Sequence, residues 1–583
     1  MRISSRIDGS ICGAILFWHR PASSTSWSAA IASLSSSSSR ILPRRTLSTT
    51  RVLPIPFTKP LSRPQTNTAQ AIETKPAEAP SQQQLPTEEI LALVDPYDGE
   101  EIGTVEDYLR TTRDPYMRGY DEPKDAEVSV TLTKDQVEYP SDEEVIKAGE
   151  EEQWTLWELR FAVMKYLRLP TFLDDDLERI YEIYQRLPEP RMLYLTARQR
   201  HRLLHALGQP GRVKYRSMLR YFSVIGDAKD SGIPLTQAEW NCTLHFAAKY
   251  VHTVSEAENE AALKLWREME IEAGVKADEL TFNILFDTAS KAGNFTLAEM
   301  IFREMEHRGI KYNRYHYVAL IFFFGLKLET NGVRAAYRDM VLAGEIIDTV
   351  VLNAVISGLL RSNEDWAAIN IYERMKQANP DLRELPVRTQ LSDRAVNRVL
   401  QMFAKLGKKY PEGRPAFQKS ALITPDFRTY DLLIKYFGVV QGDLDKVAKL
   451  INDMKAFEIP VHGAIFLSLF KSFAKHGGPY SAWTEQRLQT IWQAFLGALD
   501  GNAAGLEISL WMALWVLRAF AQCYIPQNNE DGNLKLYEVH HELKIRWNLD
   551  GDDQQAVIDH LAVIVRGRRL NVSVKNVSGN RWI

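Results

Sequence analysis

Cysteine is nearly absent from this 583-residue chain, with only Cys12, Cys242 and Cys523 present. No two of them form a CxxC pair, so neither a thiolate zinc site nor a disulfide framework is expected. Cys242, beside Asn241 in a helical pattern, reads as a small packed thiol. Long apolar runs are missing as well. Crossing a bilayer takes about 20 consecutive apolar residues, and the longest candidate, Val318–Gly325, fits a buried helix better. Catalytic signatures are also missing. There is no Gly-rich phosphate loop and no GxSxG, and Val539-His-His-Glu542 lacks the second histidine of HExxH. His201 and His205 share a helix face at a metal-capable spacing, but no carboxylate or thiol is evident beside them. They read as a packed or solvated pair. Asp550, Asp552 and Asp553 fit a helix-starting turn. The chain is therefore read as a non-enzyme that does not span a membrane, with no metal, cofactor or small-molecule substrate.

Acidic residues are almost missing from residues 1–51. That stretch has Arg2, Arg6, Arg20, Arg40, Arg44, Arg45 and Arg51, a single acid in Asp8, no lysine, and many serines and alanines. An Arg-rich, Ser-rich, acid-poor start has the composition of a mitochondrial transit peptide. The expected location is the mitochondrial matrix, with association to the inner membrane allowed. Residues 52–152 are first rich in Pro, Gln and Thr and then acidic, and are expected to be a linker. Removing seven arginines and one aspartate takes the formal net charge from −3 to −9. That balance is unusual for a nonspecific nucleic-acid binder.

The remainder of the chain repeats. Residues 279–313 read as two short helices. Phe282, Leu285, Phe286 and Ala289 mark one apolar face, and Ala298, Ile301, Phe302 and Met305 mark another. Such a pair has nothing to bury its face against except units of its own kind. With Asn283 as a ruler, the matching positions are Asn241, Asn283, Val318, Asn353, Asn397, Asp431 and Phe466. The intervals are 35 (283 to 318, 318 to 353, 431 to 466), 34 (397 to 431), 42 (241 to 283) and 44 (353 to 397). The two longer intervals are read as a unit plus a loop. The second helices end alike at Met269, Met305, Met340, Met375 and Met454. Each methionine follows an aromatic or Ile by three residues: Trp266, Phe302, Tyr337, Tyr372 and Ile451.

These features are expected to give an all-α solenoid of helix-turn-helix units. N-terminal helices and a degenerate first repeat occupy residues 153–236, the array proper 237–505, and capping helices with a basic tail 506–583. The units are 237–278, 279–313, 314–348, 349–392, 393–426 and 427–461, followed by a looser one at 462–505. Trp483, Trp492 and Phe495 there are expected to fill core.

The openings Thr281-Phe-Asn283 and Thr429-Tyr-Asp431, the Lys291-Ala-Gly turn and the Arg-Glu-Met endings resemble the pentatricopeptide repeat family. The resemblance covers residues 196–480 well and 481–566 loosely. It implies a right-handed superhelix that holds single-stranded RNA at one base per unit. It also implies which residues read the base, namely the ruler and the last residue of the same unit. The pairs would be Asn241 with Asp278, Asn283 with Asn313, Val318 with Asp348, Asn353 with Ser392, Asn397 with Asp426, and Asp431 with Val461. In the family pattern Asn with Asp favours U, and Asn with Asn or Ser favours C, so the array would lean towards pyrimidines, as U-C-x-C-U. Deaminase domains appended to some members need HxE with CxxC, which this chain cannot supply.

Two functions fit. One is a mitochondrial protein that binds a single-stranded organellar transcript for stability, processing or translation. The other is a scaffold bound to the mitochondrial ribosome or assisting respiratory-complex assembly. Basic residues beside the rulers would favour the first, and acidic residues the second.

Overall fold

A computed structural model describes residues 87–94, 102–110, 145–168, 174–210, 215–248, 256–378, 390–421, 423–457, 459, 462–501, 506–524, 529–547, 549 and 551–565. The proposed transit peptide and the basic tail lie outside the described residues. Two short helices come first, α1 (Thr87–Leu91) and α2 (Val105–Arg110). The N-terminal part of the stack is α3 (Glu150–Arg168), α4 (Asp174–Gln185), α5 (Ala197–Leu207) and α6 (Tyr215–Asp230). The array then runs through α7 (Gln237–Ala248), α8 (Glu256–Arg267), α9 (Glu279–Ala292), α10 (Phe295–His307), α11 (Arg314–Lys327), α12 (Thr330–Leu342), α13 (Thr349–Arg361) and α14 (Asp365–Ala378). After α15 (Gln390–Lys409) and α16 (Arg414–Lys419) it resumes with α17 (Phe427–Ile434), which continues as a π-turn over Lys435–Gln441, then α18 (Leu444–Ala456), α19 (Gly463–His476) and α20 (Glu485–Asp500). The closing helices are α21 (Leu510–Tyr524), α22 (Asn529–Arg546) and α23 (Gly551–Val565). The described residues contain no strand, and none of their helices is long and apolar enough to cross a membrane.

Local chemistry sets the hairpins. Asp278 caps α9, accepting from the Thr281 N–H at 2.9 Å, and the Thr281 hydroxyl closes a capping box. The helix stops at Gly293, whose φ of 78° is left-handed and suits a residue without Cβ. Asn294 then caps α10. Within each hairpin the methionine row is sealed. Met269, Met305, Met340, Met375 and Met454 are all buried, as are Trp266, Phe302, Tyr337, Tyr372 and Ile451.

First helices stack on first helices in the order α7, α9, α11, α13, α17, α19, α21. Second helices meet through ion pairs. Arg308 reaches Glu270 at 2.5 Å, and Lys376 reaches Asp453 at 3.0 Å. One continuous apolar core runs through the stack, as a solenoid of mutually dependent units requires. The backbones of α11 and α13 approach closely, so that a Cβ on Gly325 would lie 2.8 Å from the Cα of Gly358. Neither backbone can yield cheaply, so Gly325→Val is expected to cost about 1–3 kcal/mol through overpacking. Faster hydrogen exchange confined to α11 and α13 would register this; an unchanged exchange pattern would refute it.

Three expectations need correction. The unit assigned to residues 393–426 is not a repeat. α15 and α16 form an insertion with its own small core of Ile346, Leu400, Ala404 and Ala421, and α13 stacks directly on α17. Gln418 fixes the insertion to the Ile347 backbone, accepting from its N–H at 2.9 Å and donating to its carbonyl at 2.7 Å. The linker assigned to residues 52–152 includes the docked helices α1 and α2. Tyr337 donates to the Ile90 carbonyl at 2.6 Å, Arg338 donates to the Ile102 and Gly103 carbonyls at 2.6 Å each, and Arg374 donates to the Ala92 carbonyl. Ile90, Val94, Val105 and Leu109 are buried there against the second-helix side. Lastly, His201 does have a carboxylate near it, since its Nδ1 lies 3.5 Å from Glu239. No group of three or more metal-capable side chains occurs among the described residues. Trp483, Trp492 and Phe495 fill core as expected.

Candidate nucleic-acid interface

The ruler positions sit one turn into the first helices, facing the cap of the next unit. Asn241 donates from Nδ2 to Asp278 Oδ1 at 3.0 Å, and its Oδ1 accepts from the Thr281 hydroxyl at 2.7 Å. The same constellation recurs further along. Asn353 donates to Asp426 at 3.0 Å and accepts from Thr429 at 2.8 Å. Two consequences follow. The amide is held in one orientation, with nitrogen towards the carboxylate and oxygen towards the hydroxyl. One N–H and one lone pair per asparagine are left over, a donor beside an acceptor in fixed order.

This geometry corrects the pairing. Asn353 meets Asp426, the cap of the unit that follows the insertion. Ser392 lies in α15, where its side chain is not described. Asn397 lies on α15, in the insertion and outside the row of first helices, so it does not pair with Asp426. Val461 lies outside the described residues.

The intervening units depart from the constellation in ways the chemistry explains. His316 occupies the place held by Thr281 and Thr429, two residues before the ruler. Its Nδ1 lies 3.1 Å from the Asn313 backbone N–H and 3.0 Å from the Asn313 Oδ1. Both His316 Nε2 and Asn283 Oδ1 are buried without a hydrogen-bond partner, and burial pushes the histidine down to about 4. The Asn313 amide turns away from Asn283 and donates to Glu279 at 2.8 Å. Val318 is buried and offers no polar group. Its expected partner Asp348 is bound instead by Arg314, which is 2% exposed and also donates to the Ile346 carbonyl at 2.6 Å.

Basic side chains lie along the row of first helices. Lys291 and the Arg361 guanidinium lie over the Phe322 ring at 5.5 and 4.8 Å, and Lys471 and Arg518 lie over Trp515 at 5.4 and 4.7 Å. Lys291 is partly neutralised by Asp287 at 2.8 Å. Around Asp431 the cations Arg428, Lys435 and Lys471 gather. Burial of Lys471, with Lys435 nearby, pushes its ammonium down to about 8, and burial raises the Asp431 carboxyl against the pull of these cations.

The sequence marks Thr281 and Thr429 only as part of the repeat openings; that each orients the asparagine of the preceding first helix is seen only in the structure. The signal was present in the spacing Asp278-Glu-Leu-Thr281, repeated as Asp426-Phe-Arg-Thr429. That repeat also marks which unit follows Asn353. Arg314 left no comparable trace, since nothing in the spacing ties it to Asp348.

A family model described as a pentatricopeptide repeat domain matches residues 264–327, and one described as a PPR repeat matches residues 350–379. A chloroplastic pentatricopeptide repeat-containing protein of Arabidopsis thaliana is 24% identical over 198 residues, 32% of this chain. The chain spans about a quarter of that relative's length, 24%. Among solved structures, the pentatricopeptide repeat protein PPR10 from maize is similar at 16% identity and TM-score 0.30, over 72% of this chain and 57% of that one. Yeast Rmd9p, solved in complex with a 16-nt target RNA, is similar at 10% identity and TM-score 0.35, over 72% of this chain and 97% of that one.

Proposed function

From the repeat register and the matches of residues 264–327 and 350–379 to pentatricopeptide repeat models, we propose that the chain is an organellar pentatricopeptide repeat protein that holds single-stranded RNA along its row of first helices. The observation that carries this reading is the repeated Asn–Asp–Thr constellation at Asn241, Asp278, Thr281 and at Asn353, Asp426, Thr429. An amide with a spare donor beside a spare acceptor can pair with the Watson–Crick edge of a pyrimidine, where uracil and cytosine each present one donor next to an acceptor. The basic side chains along the same helices suit a phosphate backbone. With Asn353 paired to Asp426, the family pattern gives U-C-x-U in place of U-C-x-C-U. The arginine-rich residues 1–51 support delivery to the mitochondrial matrix, and action on transcript stability, processing or translation follows from such binding. The net negative charge favours the second reading, a scaffold on the mitochondrial ribosome. The cations further along the ruler helices, Lys291 and Arg361, count against it, while the carboxylates bonded to Asn241 and Asn353 count for it.

Two hydrogen bonds to each base contribute about 1–3 kcal/mol together. Asn241→Ala and Asn353→Ala are each expected to weaken binding of a pyrimidine-rich single strand about tenfold in a gel-shift titration. Both variants also lose some thermal stability, because Asp278 and Asp426 lose a buried donor. Asn283→Ala removes an amide whose oxygen has no partner and is expected to lower affinity with little change in melting. Unaltered affinity in all three variants would sink the RNA reading.

A further inference from the structure

The first helix of the stack, α3, carries an aromatic ladder that nothing among the described residues covers. Trp154, Trp157 and Phe161 are 65%, 56% and 61% exposed. Their rings stack on one another, with centroids 5.1 Å apart from Trp154 to Trp157 and 5.8 Å from Trp157 to Phe161. The spacing of three and then four residues sets them on one face, about 10 Å from first to last. The opposite face holds Leu159, Val163 and Tyr166, all buried in the stack. α3 is therefore fully anchored on its inner side, and the ladder is surplus to the core. Three large aromatic side chains at this exposure leave roughly 400 Å² of contiguous apolar surface in water, at the level where a monomer's surface patch marks an interaction site.

Charge along α3 identifies what fits. Its first turn is acidic, with Glu150, Glu151 and Glu152, and its last turn is basic, with Lys165 and Arg168. The ladder lies between. Turned end for end about Trp157, this face is complementary to itself. Glu150 and Glu151 of one copy meet Lys165 and Arg168 of the other at both ends, and Trp154 meets Phe161 in the middle. Self-complementarity under a twofold rotation is the requirement for an isologous dimer.

We propose that α3 is a homodimerisation helix, pairing antiparallel with α3 of a second copy through Trp154, Trp157 and Phe161. The two ladders together bury about 800 Å², and the stems of the flanking charged residues bring the contact to the low end of specific interfaces. Micromolar affinity is the corresponding expectation. A single-stranded nucleic acid could also stack on aromatic rings, but the triple-glutamate turn beside the ladder repels a phosphate backbone, whereas a second copy uses both signs of charge.

The test is sedimentation velocity of the full chain between about 1 and 100 µM. The wild type is expected to pass from monomer to dimer across this range. Trp157→Ser should raise the dimer dissociation constant at least about tenfold, as for a central aromatic anchor, with far-UV helicity unchanged because the side chain is outside the core. Reversing the acids (Glu150→Lys with Glu151→Lys) should weaken the dimer, and adding Lys165→Glu with Arg168→Glu should restore it. A wild type that stays monomeric at about 100 µM, or a dimer that Trp157→Ser leaves intact, overturns the proposal. Failure of the fourfold charge reversal to restore pairing overturns the antiparallel arrangement. If Trp157→Ser lowers affinity for a pyrimidine-rich single strand without changing the mass distribution, the face belongs to nucleic acid and the dimer is refuted.

Discussion

Arg314→Met is expected to destabilise the middle of the array by about 3–5 kcal/mol, the cost of stripping one partner from a buried ion pair. Arg314 and Asp348 are each about 2% exposed and bonded to one another, and Arg314 also satisfies the Ile346 carbonyl. Methionine keeps the length of the side chain but supplies no donor, so Asp348 remains as an uncompensated charge between α11 and α13. Because a solenoid loosens locally rather than as one block, the measurement is amide exchange. Amides of α11–α13 should exchange about two to four orders of magnitude faster, while α19–α21 stay as they were. A second substitution supplies the control. Asp348→Asn removes the charge and keeps a capping oxygen for the Val350 and Val351 N–H groups, so the double variant should recover most of the loss. Protection unchanged in Arg314→Met would mean that the pair carries no net stabilisation.

Acidification is expected to weaken the fold through His316. Burial holds this ring at about 4 in the folded chain, below the ordinary value of about 6.5. Between those two values the unfolded chain binds a proton that the folded chain does not. Stability therefore rises with pH across that window and is lost as pH falls from about 6.5 towards 4, by about 3 kcal/mol for this one group. His560 is also held at about 4, by burial first and then by Arg518, and adds in the same direction. Asp431 works the other way, since its raised carboxyl makes protonation easier in the folded chain. His316→Gln isolates the effect. Glutamine at the third helical position supports a capping box, as Gln199 does with Thr196. Its melting temperature should fall less than the wild type's between pH 6.5 and 4.5, and parallel pH profiles would refute the assignment.

The period of the repeat was legible because it is enforced by packing. Each methionine and the aromatic three residues before it must fill the same space in every hairpin, so both recur at the same offset. The rulers Asn241, Asn283 and Asn353 were legible for the same reason. The insertion was not, because α15 is itself amphipathic. Val396, Leu400, Phe403 and Ala404 recur at helical spacing, and Asn397 falls near the expected interval. Periodicity reports that a helix has an apolar face, and says nothing of which neighbour covers it. The short helices α1 and α2, of 5 and 6 residues, were illegible for a further reason. Helices of that length are not stable alone; they exist because Tyr337, Arg338 and Arg374 receive them.

That docking has a consequence for the order of events at synthesis. Ile90 precedes Tyr337 by 247 residues. At about 5–20 residues per second, its seat does not exist until tens of seconds after it has left the ribosome. Among the described parts of the chain, the segment born earliest is thus obliged to wait with its apolar side chains wet. Until Tyr337, Arg338 and Arg374 are in place, Ile90, Val94, Val105 and Leu109 stay open to chaperones and proteases, and their docking marks the moment when the middle of the array is complete.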